Sequence, residues 1–167
     1  MKVQLSELVA YTDRLLAVEN FNDYCPNGLQ VEGRADVETL IGGVTACQAL
    51  LDVAVDRGAD AVLVHHGWFW KGENPRIVGM KQRRLATLLR HGISLIAYHL
   101  PLDAHPELGN NAQLARVLGL TITGTVGGNG RTPGLVMLGE PDAPIGGEGF
   151  AARLAARLGR EPLYIPG

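Results

Sequence analysis

Cysteine is scarce in this sequence. The 167 residues include only Cys25 and Cys47, which lie far apart and form no CxxC pair. Structural zinc sites and dithiol redox centres use closely spaced cysteines, so the sequence argues against both kinds of site. Isolated cysteines usually behave as small buried hydrophobes, and we expect two reduced thiols with a packing role.

Long apolar runs are absent as well. No run approaches the roughly 20 residues that a helix needs to cross a bilayer. The N-terminal stretch MKVQLSELVAYTDRLL is amphipathic, unlike the apolar core of a secretory signal peptide. We therefore expect a cytoplasmic protein without a membrane partner.

Neither sign of charge dominates. Fifteen Lys and Arg residues are interspersed with 17 Asp and Glu residues, for a net charge of -2. Nucleic-acid binding is typical of a basic patch or stripe, so nucleic acid is not an expected partner. A weaker hypothesis would place such binding at Arg83, Arg84 and Arg90.

Strands and helices are predicted to alternate along most of the chain. The predicted strands are residues 28–31, 39–45, 61–65 and 94–99, and the predicted helices are residues 6–17, 48–56, 81–90 and 111–118. Ser6 is the predicted N-cap of the first helix. Alternation of this kind indicates βαβ units, so we expect an α/β fold with a largely parallel or mixed sheet.

The pattern changes near residue 124. Residues 121–126 and 135–140 are predicted strands, joined by a turn at Asn129-Gly130 that lacks the GxxxxGK[ST] spacing of a phosphate-binding loop. Residues 149–158 are a predicted helix with a core stripe, and residues 163–165 would form a strand. We expect a first α/β half at residues 1–124 and the start of a second, cut short, at 125–167.

Ligand-type side chains follow two of the predicted strands. His65 and His66 end one strand, whereas His99 and Asp103 come at and beyond the end of the next. Ligands bind beyond the carboxyl ends of strands in open α/β sheets, so we expect these side chains to converge. Adjacent strand residues point to opposite faces, and we expect Gly67 to provide the irregularity that lets both imidazoles face one point.

Imidazole nitrogens together with a carboxylate oxygen suit Zn, Fe, Mn or Ni better than Ca or Mg. We predict that His65, His66 and Asp103 bind a divalent metal, and that His99 acts as an acid or base because an imidazole titrates near neutrality. Ordinary turn histidines are the alternative. Burial favours ligation or pairing, since an unsatisfied buried polar group costs about 1–3 kcal/mol.

Other residues near this point have open interpretations. The aromatic run Trp68–Phe69–Trp70 could form the wall of a pocket or fill the core, and Glu73 could carry protons or be a solvated loop residue. We assign His91, at a helix end, and His105, beside Pro106, to ordinary surface or core residues.

The segments NGLQVEG, GADAVLVHHG and SLIAYHLPLDAHPELGNNAQLARVLGL together resemble the Nif-three-like family, also called the GTP cyclohydrolase I type 2 family. The resemblance covers essentially the whole chain. It implies that His65, His66 and Asp103 are ligands of a dinuclear centre with two metal ions per subunit, and that His99 lines this centre. It also implies two related α/β halves and a homohexamer.

One family feature is missing. The resemblance implies a further His and Glu, in an HxxxE arrangement near the C-terminus, but no histidine follows His105. We therefore expect the chain to be the front portion of a longer protein. The favoured hypothesis is a metal-dependent hydrolase with an unknown small-molecule substrate, GTP being poorly supported because no phosphate-binding loop is present. The alternative is a non-catalytic regulatory or interaction protein with a structural or metal-handling site.

Overall fold

A computed structural model of the chain describes residues 2–128 and 134–166. The chain divides into two compact units, Met1–Leu102 and Asp103–Gly167. The predicted turn at Asn129-Gly130 lies outside the described residues. The division into two related halves at residue 124 stays a prediction.

The first unit contains a mixed sheet of four strands with the order β2-β6-β5-β4. The strands are β2 (Gly28–Val31), β4 (Leu40–Thr45), β5 (Ala61–His66) and β6 (Ser94–Ala97). Strands β4, β5 and β6 run parallel, and β2 pairs antiparallel with β6. Two short strands, β1 (Val3–Gln4) and β3 (Asp36–Val37), form a separate antiparallel pair. The mixed α/β fold expected from the sequence is confirmed.

Helices cover both faces of this sheet. They are α1 (Leu5–Leu15), α2 (Gln48–Asp56) and α3 (Gly79–His91). Val62 and Val64 of β5 belong to the same buried cluster as Leu51 of α2 and Leu88 of α3. Ala61, the preceding residue of β5, lies in a second cluster with Leu5 of α1. A strand with helices on both faces needs apolar side chains at consecutive positions, which explains the apolar run before the two histidines.

Several predicted boundaries in the first unit are corrected. Helix α1 begins at Leu5 with Gln4 in the N-cap position, so the Ser6 cap is wrong; β1 leads directly into this helix. Strand β6 ends at Ala97 instead of residue 99, and the chain enters α4 (Leu100–Ala104). Pro101 is accommodated there because the first turn of a helix does not need its missing N–H.

The second unit contains α5 (Asn110–Leu118), β7 (Leu120–Val126), β8 (Val136–Pro141) and α6 (Gly147–Leu158). Strands β7 and β8 pair antiparallel, as the hairpin prediction requires. The core role predicted for α6 is not seen, because no residue of this helix is buried in the described structure. Residues 163–165 form no strand, and Leu163 is 90% exposed. None of the described helices is long and apolar enough to span a bilayer.

Candidate metal centre

Three histidines meet at one end of the first unit's sheet. Strands β5 and β6 are parallel neighbours, so the residues after their carboxyl ends lie at the same edge. His65 and His66 end β5, and His99 follows β6 by two residues. Ligand atoms of these three imidazoles all lie within 4.8 Å of one another. The structure thus brings together three of the four residues singled out in the sequence.

The imidazole rings lie close together, in tilted arrangements, although His65 and His66 are adjacent in a strand. Their ring centroids are 4.4 Å apart, and the ring of His99 lies 5.0 Å from His65 and 5.7 Å from His66. The residue pairs between β5 and β6 end at Val64 and Ala97, so both histidines lie beyond this ladder. Loss of pairing on this side frees the strand end from the strict alternation of faces.

Gly67 has a different role from the predicted one. Its backbone is not in the left-handed region, so positive φ does not explain the glycine. A Cβ at this position would instead lie 2.3 Å from Oε1 of Gln30 and 2.6 Å from Cβ of Ala97. Glycine is required because the chain after the histidines passes tightly against its neighbours.

The orientation of His65 is fixed by the backbone. Its Nδ1 lies 3.0 Å from the carbonyl oxygen of Tyr98. A carbonyl oxygen only accepts hydrogen bonds, so Nδ1 carries the proton and Nε2 of the neutral ring carries the lone pair. A metal-binding imidazole commonly has this arrangement, with its other nitrogen donating to a carbonyl or carboxylate.

His99 is oriented in the same way by a carboxylate. Its Nδ1 donates to Asp23, with distances of 3.0 Å to Oδ1 and 3.2 Å to Oδ2. The Asp23 side chain is only 2% exposed. Burial raises the pKa of this carboxyl group, but hydrogen bonds from Asn27, His99, Leu100 and Tyr24 outweigh burial and lower the pKa overall. Asp23 is therefore a carboxylate, and it accepts the Nδ1 proton of His99.

Two aromatic side chains pack against the histidines. The ring centroids of Tyr24 and Trp70 lie 5.1 Å and 5.0 Å from that of His99, both in edge-to-face geometry. Trp70 also lies 6.0 Å from His66. Trp68, in contrast, is a core residue whose Nε1 donates to the carbonyl oxygen of Ala46. Trp70 thus has the wall position that the sequence left open among the three aromatic residues.

The remaining candidates are placed as follows. Glu73 forms an ion pair of 3.3 Å with Lys81. This contact favours the interpretation of Glu73 as a loop carboxylate over that of a proton carrier. His105 accepts the backbone N–H groups of Glu107 and Leu108, so it stabilises a turn. Asp103 belongs to the second compact unit, where it accepts a hydrogen bond of 2.8 Å from Nδ2 of Asn110. Its role as a metal ligand stays a prediction.

Sequence reasoning missed Asp23 and Asn27. They lie in the loop before β2, in a segment interpreted only as a structured loop. No spacing rule connects Asp23 to His99, since 76 positions separate them. The only signal was an acidic residue among the Asn, Asp, Pro and Gly residues of this loop, and that signal does not differ from ordinary turn chemistry.

Asp23 also belongs to a second group of ligand-type residues. Ligand atoms of Asp23, Cys25 and His99 lie within 4.8 Å of one another. Burial and the nearby Asp23 carboxylate raise the pKa of the Cys25 thiol to about 12, so the thiol stays protonated. In the absence of a metal ion, this group therefore offers a neutral thiol beside a carboxylate that already accepts hydrogen bonds from Asn27, Leu100 and His99.

The three imidazoles fit a metal ion better. A zinc ion binds histidine nitrogens at about 2.0–2.1 Å, so two nitrogens of a tetrahedral site lie about 3.4 Å apart. The spread of the cluster is therefore on the scale of a single ion. Nitrogen donors favour Zn, Fe or Ni over Ca and Mg, which prefer oxygen ligands.

Comparison with known proteins gives consistent matches. The sequence matches the profile of the family Duf34/NIF3 (NGG1p interacting factor 3) over residues 3–166. It is 58% identical over 166 residues to the "GTP cyclohydrolase 1 type 2 homolog" of Pseudomonas aeruginosa, an alignment that covers 99% of this chain and 65% of that protein.

Solved structures with similar folds agree. The structure of "protein ybgI, unknown function" has a TM-score of 0.90 at 54% identity, with 96% of this chain and 63% of that chain covered. TTHA1606 from Thermus thermophilus has a TM-score of 0.83 at 41% identity, with 96% and 64% covered. The chain thus spans a little under two thirds of the length of these relatives.

Proposed function

Since the chain belongs to the Duf34/NIF3 family, we propose that the protein binds a divalent metal ion at His65, His66 and His99 and is a metal-dependent hydrolase. The observation that carries the proposal is that two of these rings make the same kind of hydrogen bond. His65 and His99 each donate Nδ1 to an oxygen atom, which leaves Nε2 as the basic nitrogen in both.

The chemistry of the ion supports hydrolysis. A divalent ion held there with an open coordination position would lower the pKa of a bound water to about 7, far below its value in bulk water. No unaided side chain of the cluster supplies an effect of that size. The protein's own part is to hold the three rings and to limit the access of solvent. Tyr24 and Trp70 pack against His99, and Trp70 also packs against His66.

His99 has two candidate roles that use the same nitrogen. As a ligand, its Nε2 shares the ion with His65 and His66. As the acid or base predicted from the sequence, Nε2 would exchange a proton with the substrate instead. Metal content distinguishes the two roles, because a ligand is required for binding the ion and a proton carrier is not.

The wider proposal follows the family. We propose a dinuclear centre in the full-length protein, with Asp103 as a further ligand and a His and a Glu from outside this chain completing it. We also propose a homohexamer and an unidentified small-molecule substrate. The name of the Pseudomonas relative makes GTP a compound to test, but no phosphate-binding loop supports it.

The experiment measures metal content and turnover in full-length protein. We expect bound Zn, Fe, Mn or Ni by elemental analysis, and loss of most of it in the His65→Ala/His66→Ala variant. His91→Ala, which removes an exposed imidazole outside the cluster, is the matched control and should retain the metal. Full metal content in the double variant would refute the assignment.

A panel of phosphoesters, nucleotides and cyclic amides then tests hydrolysis. Metal-dependent turnover of any member that His65→Ala/His66→Ala abolishes supports the hydrolase. Absence of turnover across the panel, together with loss of assembly on metal removal, supports the alternative of a structural or metal-handling site.

A further inference from the structure

The Asp23 carboxylate is a buried hub between the loop before β2 and the end of β6. It accepts the Tyr24 backbone N–H at 2.7 Å, Asn27 Nδ2 at 3.0 Å and the Leu100 backbone N–H at 2.9 Å. His99 Nδ1 is its fourth hydrogen-bond donor. A carboxylate offers about four lone-pair positions, so these four donors saturate it.

The hydrogen bonds that Asp23 already accepts determine whether its carboxylate can also bind a metal ion. A metal ion at its oxygens would have to displace hydrogen bonds that hold two segments of chain together. Each of these bonds is to an ionised acceptor, and such bonds are stronger than those between neutral groups. Asp23 is therefore an acceptor of protein hydrogen bonds and not a ligand itself.

The backbone around His99 is fixed by the same loop. The His99 backbone N–H donates to Oδ1 of Asn27 at 2.7 Å, and the next N–H, of Leu100, donates to Asp23. Asp23 and Asn27 are themselves joined by a hydrogen bond. The position of His99 along the chain and the direction of its ring are thus set by one pair of loop residues.

We propose that Asp23 is the positioning residue of this centre, holding His99 in the Nδ1–H tautomer so that Nε2 is the nitrogen that would bind the ion. The inference rests on the metal centre proposed above and assigns to it a residue remote in sequence. Carboxylates behind metal-binding histidines act in this way, and their removal typically weakens metal binding 10–100-fold.

The alternative is that Asp23 only ties the loop to the sheet. Both roles predict some loss of stability when Asp23 is changed, so stability does not separate them. The tautomer of His99 does, because a purely structural carboxylate would not determine which ring nitrogen carries the proton.

The first test is nitrogen NMR of histidine-labelled, metal-free, full-length protein at mildly alkaline pH. We expect His99 to be the Nδ1–H tautomer in the unchanged protein, and to lose this preference in Asp23→Asn. Asp13→Asn is the matched control, because Asp13 lies in the same unit and accepts its hydrogen bond from the Tyr98 hydroxyl instead of from an imidazole. An Nε2–H tautomer of His99 in the unchanged protein overturns the inference, whether or not any variant folds.

The second test measures zinc affinity by competition with a chelator for Asp23→Asn, His99→Ala and the double variant. We expect Asp23→Asn to weaken binding 10–100-fold and Asp13→Asn to change it less than about twofold. The double variant should bind no more weakly than His99→Ala alone, because Asp23 acts through His99.

The outcomes separate this inference from the proposed function. If His99→Ala binds zinc as tightly as the unchanged protein, His99 is not a ligand. The tautomer measurement then still tests whether Asp23 orients His99. If His99→Ala loses zinc but Asp23→Asn retains both affinity and tautomer, the role of Asp23 is wrong and the metal centre stands.

Discussion

His65 Nδ1 lies 3.0 Å from the carbonyl oxygen of Tyr98, so the backbone that follows one strand orients the imidazole that ends its neighbour. The Tyr98 side chain lies elsewhere, in the buried cluster with Leu5 and Ile96. Tyr98 therefore contributes to both regions. Its backbone carbonyl orients His65 in the candidate metal centre, and its ring packs in the core.

Tyr98→Phe should separate these two roles. The Tyr98 hydroxyl donates to Oδ1 of Asp13 at 2.7 Å, and burial raises the pKa of the hydroxyl, so it stays protonated. We expect the variant to lose about 1–3 kcal/mol in urea denaturation because the half-buried Asp13 carboxylate loses a hydrogen-bond donor. Metal content should not change, since the carbonyl oxygen remains. An unchanged denaturation midpoint, with the exposed Tyr11→Phe as reference, would contradict this account.

Gly67→Ala should destabilise the protein through crowding. The added Cβ would meet Cβ of Ala97, which belongs to a buried strand and cannot move aside easily. We expect a loss of about 1–3 kcal/mol, measured by thermal unfolding. Gly42→Ala is the control, because a Cβ there has no neighbour within 4 Å. Equal unfolding temperatures for the two variants would show that the close approach at Gly67 is not required.

Asp60 predicts a specific pH dependence of stability. Its carboxylate accepts the backbone N–H groups of Glu38 and Thr39 at 2.9 Å and 3.0 Å. These bonds lower its pKa most, burial opposes them, and Arg34 lowers the pKa further. The pKa of Asp60 is lower in the folded protein than in the unfolded chain, where it is about 3.9. The carboxylate therefore contributes its full stabilisation above about pH 3.9, and this contribution is lost as the pH falls through the pKa of the folded protein.

Asp60→Asn should therefore lose about 1–2 kcal/mol of unfolding free energy at neutral pH. The difference from the unchanged protein should shrink below about pH 3.9, where the wild-type carboxyl group also becomes protonated. Urea denaturation at a series of pH values measures this difference, with the exposed Asp56→Asn as control. A difference that is constant across pH would refute the contribution of the charge.

Cys25 should be unreactive in the folded protein. Burial, followed by the nearby Asp23 carboxylate, raises the pKa of its thiol to about 12, and the side chain is buried. We expect alkylation at mildly alkaline pH to modify Cys47 before Cys25, because only the thiolate reacts and Cys47 is less buried. Mass spectrometry of the two peptides measures both rates. Rapid labelling of Cys25 without denaturant would show that this loop opens.

The sequence predicted the fold best where the hydrophobic pattern is local. The βαβ order from β4 to β6 follows from short apolar runs and helical periodicity, and these patterns need no knowledge of distant contacts. The pairing of β1 with β3 was missed because each strand has only two residues and is defined by its partner. The short helix α4 was missed because Pro101 is equally typical of the end of a strand.

Part of the candidate metal centre could also be predicted from the sequence. His65, His66 and His99 stand out because they lie at or just beyond the ends of two strands, at the edge where ligands bind in such sheets. Asp23 does not stand out, because its importance comes from the His99 and Leu100 donors, which only tertiary structure brings to it. A ligand that ends a strand leaves a sequence signal, whereas the residue that orients it from a loop leaves none.

The most direct measurement is an anomalous difference map from crystals of the protein prepared with zinc, recorded at the zinc edge. The account predicts a peak within coordination distance, about 2.0–2.1 Å, of imidazole nitrogens from at least two of His65, His66 and His99. A map with full zinc occupancy elsewhere and no peak at these three rings would contradict it.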